Sequence, residues 1–182
     1  MAETVKILGM TGSLRRGSYN MAALKAAQKL LPEGARMEIA DLSAIPFFNE
    51  DEEAKGIPAA AEEFRRSVKE ADALLISTPE YNYSIPPVLK NALDWASRGD
   101  DAPTRGKPLA IMSASPGMLG GARVQYQLRQ MCVALDARVL NKPEVFISGA
   151  HQKFDDRGNL TDERTRRAIS KLLLALMDFA RA

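Results

Sequence analysis

In the stretch GMTGSLRRGSYN, residues 9–20, Ser13 and Ser18 offer hydroxyl donors, Asn20 an amide, and Arg15 and Arg16 positive charge. Gly12 and Gly17 let backbone N–H groups turn inward. The stretch follows the apolar run VKIL and leads into helix-like sequence, whose unpaired first-turn N–H groups and positive dipole end favour an anion. Such a set can surround a phosphate monoester. Neither G-K-[ST] nor G-x-G-x-x-G is present, which points to one phosphate rather than a triphosphate or a pyrophosphate. Taken alone, the same residues also suit a plain helix start, with Ser18 or Asn20 as its cap and the arginines in water.

A second stretch, TPEYNYSIPPVLKNALDWASRG (78–99), combines Pro79, which keeps Thr78 extended, with the flat surfaces of Tyr81 and Tyr83 and with Pro86 or Pro87 opening the next helix. This loop is rigid and can present backbone polar groups to an aromatic ligand. Trp95 belongs to an apolar stripe that reads as core or subunit interface. Arg98 and Gly99 sit where a cation and a C-cap glycine both suit a helix end. The third stretch, SASPGMLGGAR (113–123), sets Gly117, Gly120 and Gly121 ahead of a helix, so that exposed N–H groups can meet a polar ring edge or a developing negative charge. The single histidine, His151, lies outside all three stretches, and Cys132 falls in an apolar helical segment where a buried thiol is the ordinary state. A hydrolytic triad or a metal centre is not expected.

The elements that must position these loops alternate. Strands are expected at 4–10, 36–40, 72–78, 107–114 and 143–148, and helices near 20–31, 58–71, 86–98, 120–135 and 162–181, the last capped by Thr161. Three of the strands are nearly continuous apolar runs, as in a parallel sheet covered on both faces. The pattern predicts a single α/β domain over residues 1–182, a flavodoxin-like doubly wound five-stranded parallel sheet of order 2-1-3-4-5. In that architecture ligands bind beyond the carboxyl ends of the strands, where the loops at 11–19, 79–86 and 115–120 lie. The acidic run NEDEEAKG (49–56) reads as a solvated loop, and DDRGNLTD (155–162) as a turn rather than a calcium loop, since Arg157 and Gly158 stand where a ligand and a spacer belong.

The chain has 182 residues, 46% of them hydrophobic and 26% charged, enough for one core. No apolar run approaches the roughly 18 residues of a membrane span, and the start MAETVKILGM lacks the features of a secretory signal. One cysteine allows no internal disulfide, and a cytoplasmic location is expected. The net charge of +2 comes from mixed basic and acidic residues, so no nucleic-acid partner is expected.

A phosphate pocket, an aromatic loop and a glycine loop together describe a bound cofactor that carries the reactivity itself. A monophosphate joined to a flat, polar-edged ring is flavin mononucleotide (FMN), with FAD an alternative if the pocket mouth is wide. The segments GSLRRGSYN (12–20), PEYNYSIPPVLKNALDWASR (79–98) and GGARVQYQLR (120–129) resemble the NADPH-dependent FMN reductase family of flavodoxin-like proteins, especially its bacterial quinone and chromate reductase branch. The resemblance implies that Ser13, Arg15, Ser18 and Asn20 hold the FMN phosphate and that Pro79, Glu80, Tyr81, Asn82 and Tyr83 line the ribityl chain and ring, largely through backbone. It implies further that Ser115 and Gly117 approach the pyrimidine edge. Arg16 replaces a frequent lysine and keeps its charge.

The expected activity is oxidation of NAD(P)H, with hydride passing to the flavin, followed by reduction of a small-molecule acceptor at the same face: a quinone, free flavin, a ferric chelate, chromate or an azo dye. One shared site predicts ping-pong kinetics. Arg98 is the candidate for holding the nicotinamide nucleotide or an anionic acceptor, and the N–H groups near Gly117 and Gly121 for stabilising the reduced ring. The resemblance implies homodimers or homotetramers, with the stripe around Trp95 and the segment 122–131 as interface candidates. A flavodoxin-type electron carrier and a flavin-binding sensor are the alternative readings; the balanced charge argues against the carrier.

Overall fold

The computed structural model describes residues 4–182 of the chain. Strand β1 (Val5–Thr11) is followed by α1 (Tyr19–Lys29), β2 (Ala35–Ile39), the short α2 (Glu50–Glu53), α3 (Ala59–Glu70) and β3 (Ala73–Thr78). Then come α4 (Pro87–Ala96), β4 (Pro108–Ala114), α5 (Ala122–Ala134), β5 (Arg138–Val139), β6 (Val145–Ile147) and α6 (Glu163–Arg181). The pairings between these strands are all parallel and the order is β2-β1-β3-β4-β5, with β6 also on β4. The expected doubly wound α/β sheet of order 2-1-3-4-5 is the observed one.

The period-two alternation of strand side chains divides the core. Val5 and Ile7, Ala73 and Leu75, and Ala110 and Met112 face one side, where Leu24 of α1 and Leu172, Leu173 and Leu176 of α6 cover them. Their neighbours Leu8 and Met10, Leu74 and Ile76, and Leu109 and Ile111 face the other side, under Phe64 of α3, Leu89 and Leu93 of α4, and Leu128 of α5. Every residue of β3 and β4 is buried, which is why these strands read as unbroken apolar runs.

Three details depart from expectation. The fifth strand position is shared by two short pieces. Residues 138–139 pair with the start of β4, where the Leu140 N–H still reaches the Leu109 carbonyl, and residues 145–147 pair with its end, while 141–144 leave the ladder around Pro143, which has no N–H to give it. The cap of α6 is Asp162, whose Oδ2 accepts from the Thr165 N–H at 2.6 Å, whereas Thr161 donates its N–H and hydroxyl to the Lys153 carbonyl. Part of the acidic run is helical: α2 starts on Asn49, whose Oδ1 accepts from the Asp51 N–H. Of the two expected readings of the stripe around Trp95, core is the observed one: Trp95 is fully buried within the chain, its Nε1–H donating to the Pro46 carbonyl at 2.8 Å. The turn expected at 155–162 is present: the Asp155 carboxylate accepts from the N–H groups of Arg157 and Asn159 and from the Asn159 side chain, and is spent on its own loop.

Candidate active site

The loop after β1 is pressed against the loop after β3. A Cβ on Gly12 would lie 2.7 Å from Pro86 Cγ and 2.9 Å from Thr78 Oγ1, so only glycine permits the approach. Buried Ser13 accepts from the Arg15 N–H and from the Tyr81 hydroxyl, each at 3.4 Å, tying the two loops together. Ser18 caps α1: its backbone is extended and its Oγ accepts from the Met21 N–H at 3.2 Å, which leaves the hydroxyl hydrogen to donate. The first-turn amides of Tyr19 and Asn20 have no acceptor among the described residues. Arg15 lies over the Tyr19 ring at 5.6 Å with no carboxylate in ion-pair range among the described residues. Two hydroxyls, two free amides, a helix start and an unpaired guanidinium therefore gather at one point, the donor set of an anion site.

Asn20 does something other than expected with its side chain. Its Nδ2 donates to the Ala114 carbonyl at 2.9 Å, and its Oδ1 accepts from the Ala114 N–H at 2.8 Å and from Ser77 Oγ at 3.2 Å. Only 2% exposed, it clamps the start of α1 to the ends of β3 and β4, and its backbone amide faces the anion site.

The loop after β3 closes in a two-residue turn, Tyr81 and Ser84 exchanging backbone hydrogen bonds at 3.1 and 2.9 Å. Asn82 and Tyr83 at its centre have φ of 49° and 66°, the left-handed region, which costs a residue with a Cβ about 1–2 kcal/mol. Glu80 turns its carboxylate to α5: one oxygen takes the Val124 N–H and the other Arg123 Nη1, both at 3.2 Å. Gly121, the cap residue of α5, has no side chain to do this, and a carboxylate suits a helix start. Arg123 in turn lies 4.0 Å from the centre of the Tyr83 ring.

In the loop after β4, Ser115 is fixed by its N–H to the Ile147 carbonyl and by its own carbonyl accepting from Ala150. The Gly117 N–H, expected to meet a ring edge, is given to Ser115 Oγ at 3.1 Å. Gly120 and Gly121 have φ of 58° and 83°, and a Cβ on either would come within 2.8 Å of Ser148 or Ser113, so the loop is seated tightly on β4 and β6.

The three loops converge on one cleft beyond the carboxyl ends of β1, β3 and β4, lined by Ser13, Arg15, Ser18, Tyr19 and Asn20, by Pro79, Glu80 and Tyr81, and by Ala114, Ser115 and Pro116. Asn82 and Tyr83 form the tip of its second loop, and Gly117 follows directly on its third. Sequence reading missed Tyr19, Ala114 and Pro116 of the lining, and Arg123 beside it. The first three bring only backbone or a ring, and Arg123 is marked in sequence by nothing except its place after a glycine pair.

Arg98 is brought to a different place. Its Nε and Nη2 each meet a Glu53 oxygen at 2.8 Å, Glu50 lies at 3.6 Å, the Phe48 ring at 4.9 Å, and Arg65 donates to the Arg98 carbonyl. The bidentate hydrogen bond from Arg98 holds the Glu53 carboxyl below its ordinary pKa, and Glu53 raises that of Arg98. This arginine pins α2 to the end of α4 and does not line the cleft. Cys132 is 1% exposed, and burial pushes its thiol up to about 11, so it stays protonated and unreactive at neutral pH.

A profile of the NADPH-dependent FMN reductase family matches residues 5–152. The chain belongs to that family. It is 54% identical over 181 residues to an NAD(P)H-dependent FMN reductase of Pseudomonas aeruginosa, covering 100% of this chain and 98% of that one. It is 42% identical over 185 residues to a quinone reductase of Escherichia coli, covering 98% and 97%. The flavoenzyme NAD(P)H:(acceptor) oxidoreductase FerB of Paracoccus denitrificans superposes with a TM-score of 0.89 at 30% identity, over 98% of both chains. Within the family match fall all three cleft-forming loops, so the shared sequence covers the site as well as the scaffold.

Proposed function

We propose that this NAD(P)H-dependent oxidoreductase holds FMN in the three-loop cleft and reduces quinones, with free flavin and other small electron acceptors as further substrates. What carries the reading is the meeting, in one cleft, of an anion-binding helix start with a rigid aromatic turn. The donor set fits FMN: the hydroxyls of Ser13 and Ser18, the amides of Tyr19 and Asn20 and the guanidinium of Arg15 suit a single phosphate. Pro79 to Tyr83 would wall the ribityl chain and ring, and the loop after β4, with Ser115 in the cleft lining and Gly117 just beyond it, would border the ring's polar edge.

Bound FMN supplies the capacity to take a hydride from NAD(P)H and pass two electrons on. The chain's own part is positional. Ser18 holds the start of α1 with its lone pair while keeping a hydrogen for the phosphate, Asn20 keeps that helix registered on β3 and β4, and the Ser13–Tyr81 contact fixes the spacing between phosphate and ring loops. We further propose that reductant and acceptor use one open face in turn, giving ping-pong kinetics, and that exposed Tyr126 and Val133 on α5 meet a second copy of the chain.

The test is an anaerobic visible spectrum of the protein after addition of FMN and removal of excess, repeated with NADPH or NADH. Bound flavin that bleaches with either nucleotide and recovers on adding benzoquinone is the expected result. Failure to retain flavin refutes the phosphate site, and flavin that neither nucleotide reduces returns the protein to an electron-carrier or sensor role.

A further inference from the structure

The turn at the tip of the second loop has the residue pair that is hardest to explain by local preference. A two-residue turn with both central residues left-handed favours Asn-Gly, because glycine has no Cβ to clash, yet here tyrosine stands at the glycine position with φ of 66°. A left-handed non-glycine residue persists only where its surroundings over-determine it. Those surroundings are a short chain of contacts. The Tyr83 ring lies under the Arg123 guanidinium at 4.0 Å, Arg123 Nη1 meets Glu80 Oε1 at 3.2 Å, and the second Glu80 oxygen takes the Val124 N–H at 3.2 Å. The Glu80 side chain is 12% exposed against 45% for Arg123, so the carboxylate is the fixed end and the guanidinium is the arm that reaches the turn. One carboxylate thus joins the base of the loop to the start of α5 and aims a cation at the loop's tip.

We propose that Glu80, Arg123 and Tyr83 form an electrostatic clasp that holds the turn at 81–84 in the shape the cleft requires, with Glu80 a positioning residue that acts through Arg123 on Tyr83. The Glu80 side chain then serves α5 and the turn, and only its backbone serves the cleft. The effect on FMN rests on the function proposed above; the clasp itself does not.

Amide hydrogen exchange on the flavin-free protein reads the clasp directly, through the Tyr81 and Ser84 N–H groups that bond across the turn. Glu80→Gln and Arg123→Met are each expected to speed exchange at these two amides about tenfold, with the amides of β3 unchanged. Arg123→Lys, which keeps the charge, retains most of the protection. Glu80→Gln combined with Tyr83→Gly regains it, because glycine holds a left-handed backbone unaided. FMN affinity, measured by quenching of flavin fluorescence, is expected to weaken about tenfold in Glu80→Gln. Unchanged exchange at Tyr81 and Ser84 in folded Glu80→Gln, or no recovery with Tyr83→Gly, overturns the clasp. A parent protein that binds no FMN but shows the exchange pattern refutes the cofactor reading and leaves the clasp standing.

Discussion

Replacing Asn20 by alanine separates its two conceivable roles, phosphate ligand and clamp. The side chain is buried and makes three hydrogen bonds, two of them with the backbone of a single residue, Ala114, at the end of β4. Its removal leaves the Ala114 N–H and carbonyl without their partner, and an unsatisfied buried backbone group costs about 1–3 kcal/mol. In the variant, water entering from the cleft that Asn20 and Ala114 line would satisfy these groups in part, which puts the expected loss near the lower half of the summed range, about 2–4 kcal/mol. For a domain of this length each kcal/mol moves the melting temperature by about 2–4 °C, so the flavin-free protein should melt roughly 5–15 °C lower. The assay is thermal unfolding of flavin-free protein followed by far-ultraviolet circular dichroism, with FMN titration alongside. A variant that melts within about 2 °C of the parent while losing tenfold or more in FMN affinity would refute the clamp and restore Asn20 as a direct phosphate ligand.

Gly12→Ala forces a Cβ into Pro86 and Thr78, and overpacking of this kind costs about 1–3 kcal/mol; FMN affinity should fall together with melting temperature, and an unchanged dissociation constant would show that the first two loops need not touch. Arg98→Ala should leave KM and kcat for both nucleotide and quinone unchanged in steady-state assays, because the side chain is committed to Glu53. The same pair gives a pH signature. With the Glu53 carboxyl held below its unfolded value, its stabilisation is present above the usual carboxylate range and is lost as pH falls through the lowered value, so the melting difference between parent and Arg98→Ala should close on acidification. The Cys132 thiol, pushed up to about 11 by burial, should resist iodoacetamide at pH 8 in the folded protein and react once denatured; rapid native labelling followed by mass spectrometry would contradict the buried assignment.

What lay open in the sequence was whatever depends on neighbours along the chain. Continuous apolar runs marked β3 and β4 because a strand covered on both faces has no polar side to show, and the loops that end β1, β3 and β4 stood out by composition since each contains residues a plain connection does not need. Cap and strand-end details were less legible: Thr161 and Asp162 are chemically alike as caps, and the break between β5 and β6 depends on which stretch of β4 finds a partner.

Contacts distant in sequence belonged to the tertiary structure alone. Arg98 and Glu53 are 45 residues apart, so nothing local distinguished a free arginine from one already neutralised. Asn20 and Ala114 are 94 apart, and an asparagine at a helix start looks the same whether its amide meets a phosphate or a strand end. Glu80 and Val124 are 44 apart, and only the packing of α5 on β4 turned that carboxylate from the cleft to a helix start. Residue type and spacing thus determined which loops gather and what kind of ligand they suit. Which side chains face that ligand was decided when the folded chain used several of their hydrogen bonds on itself.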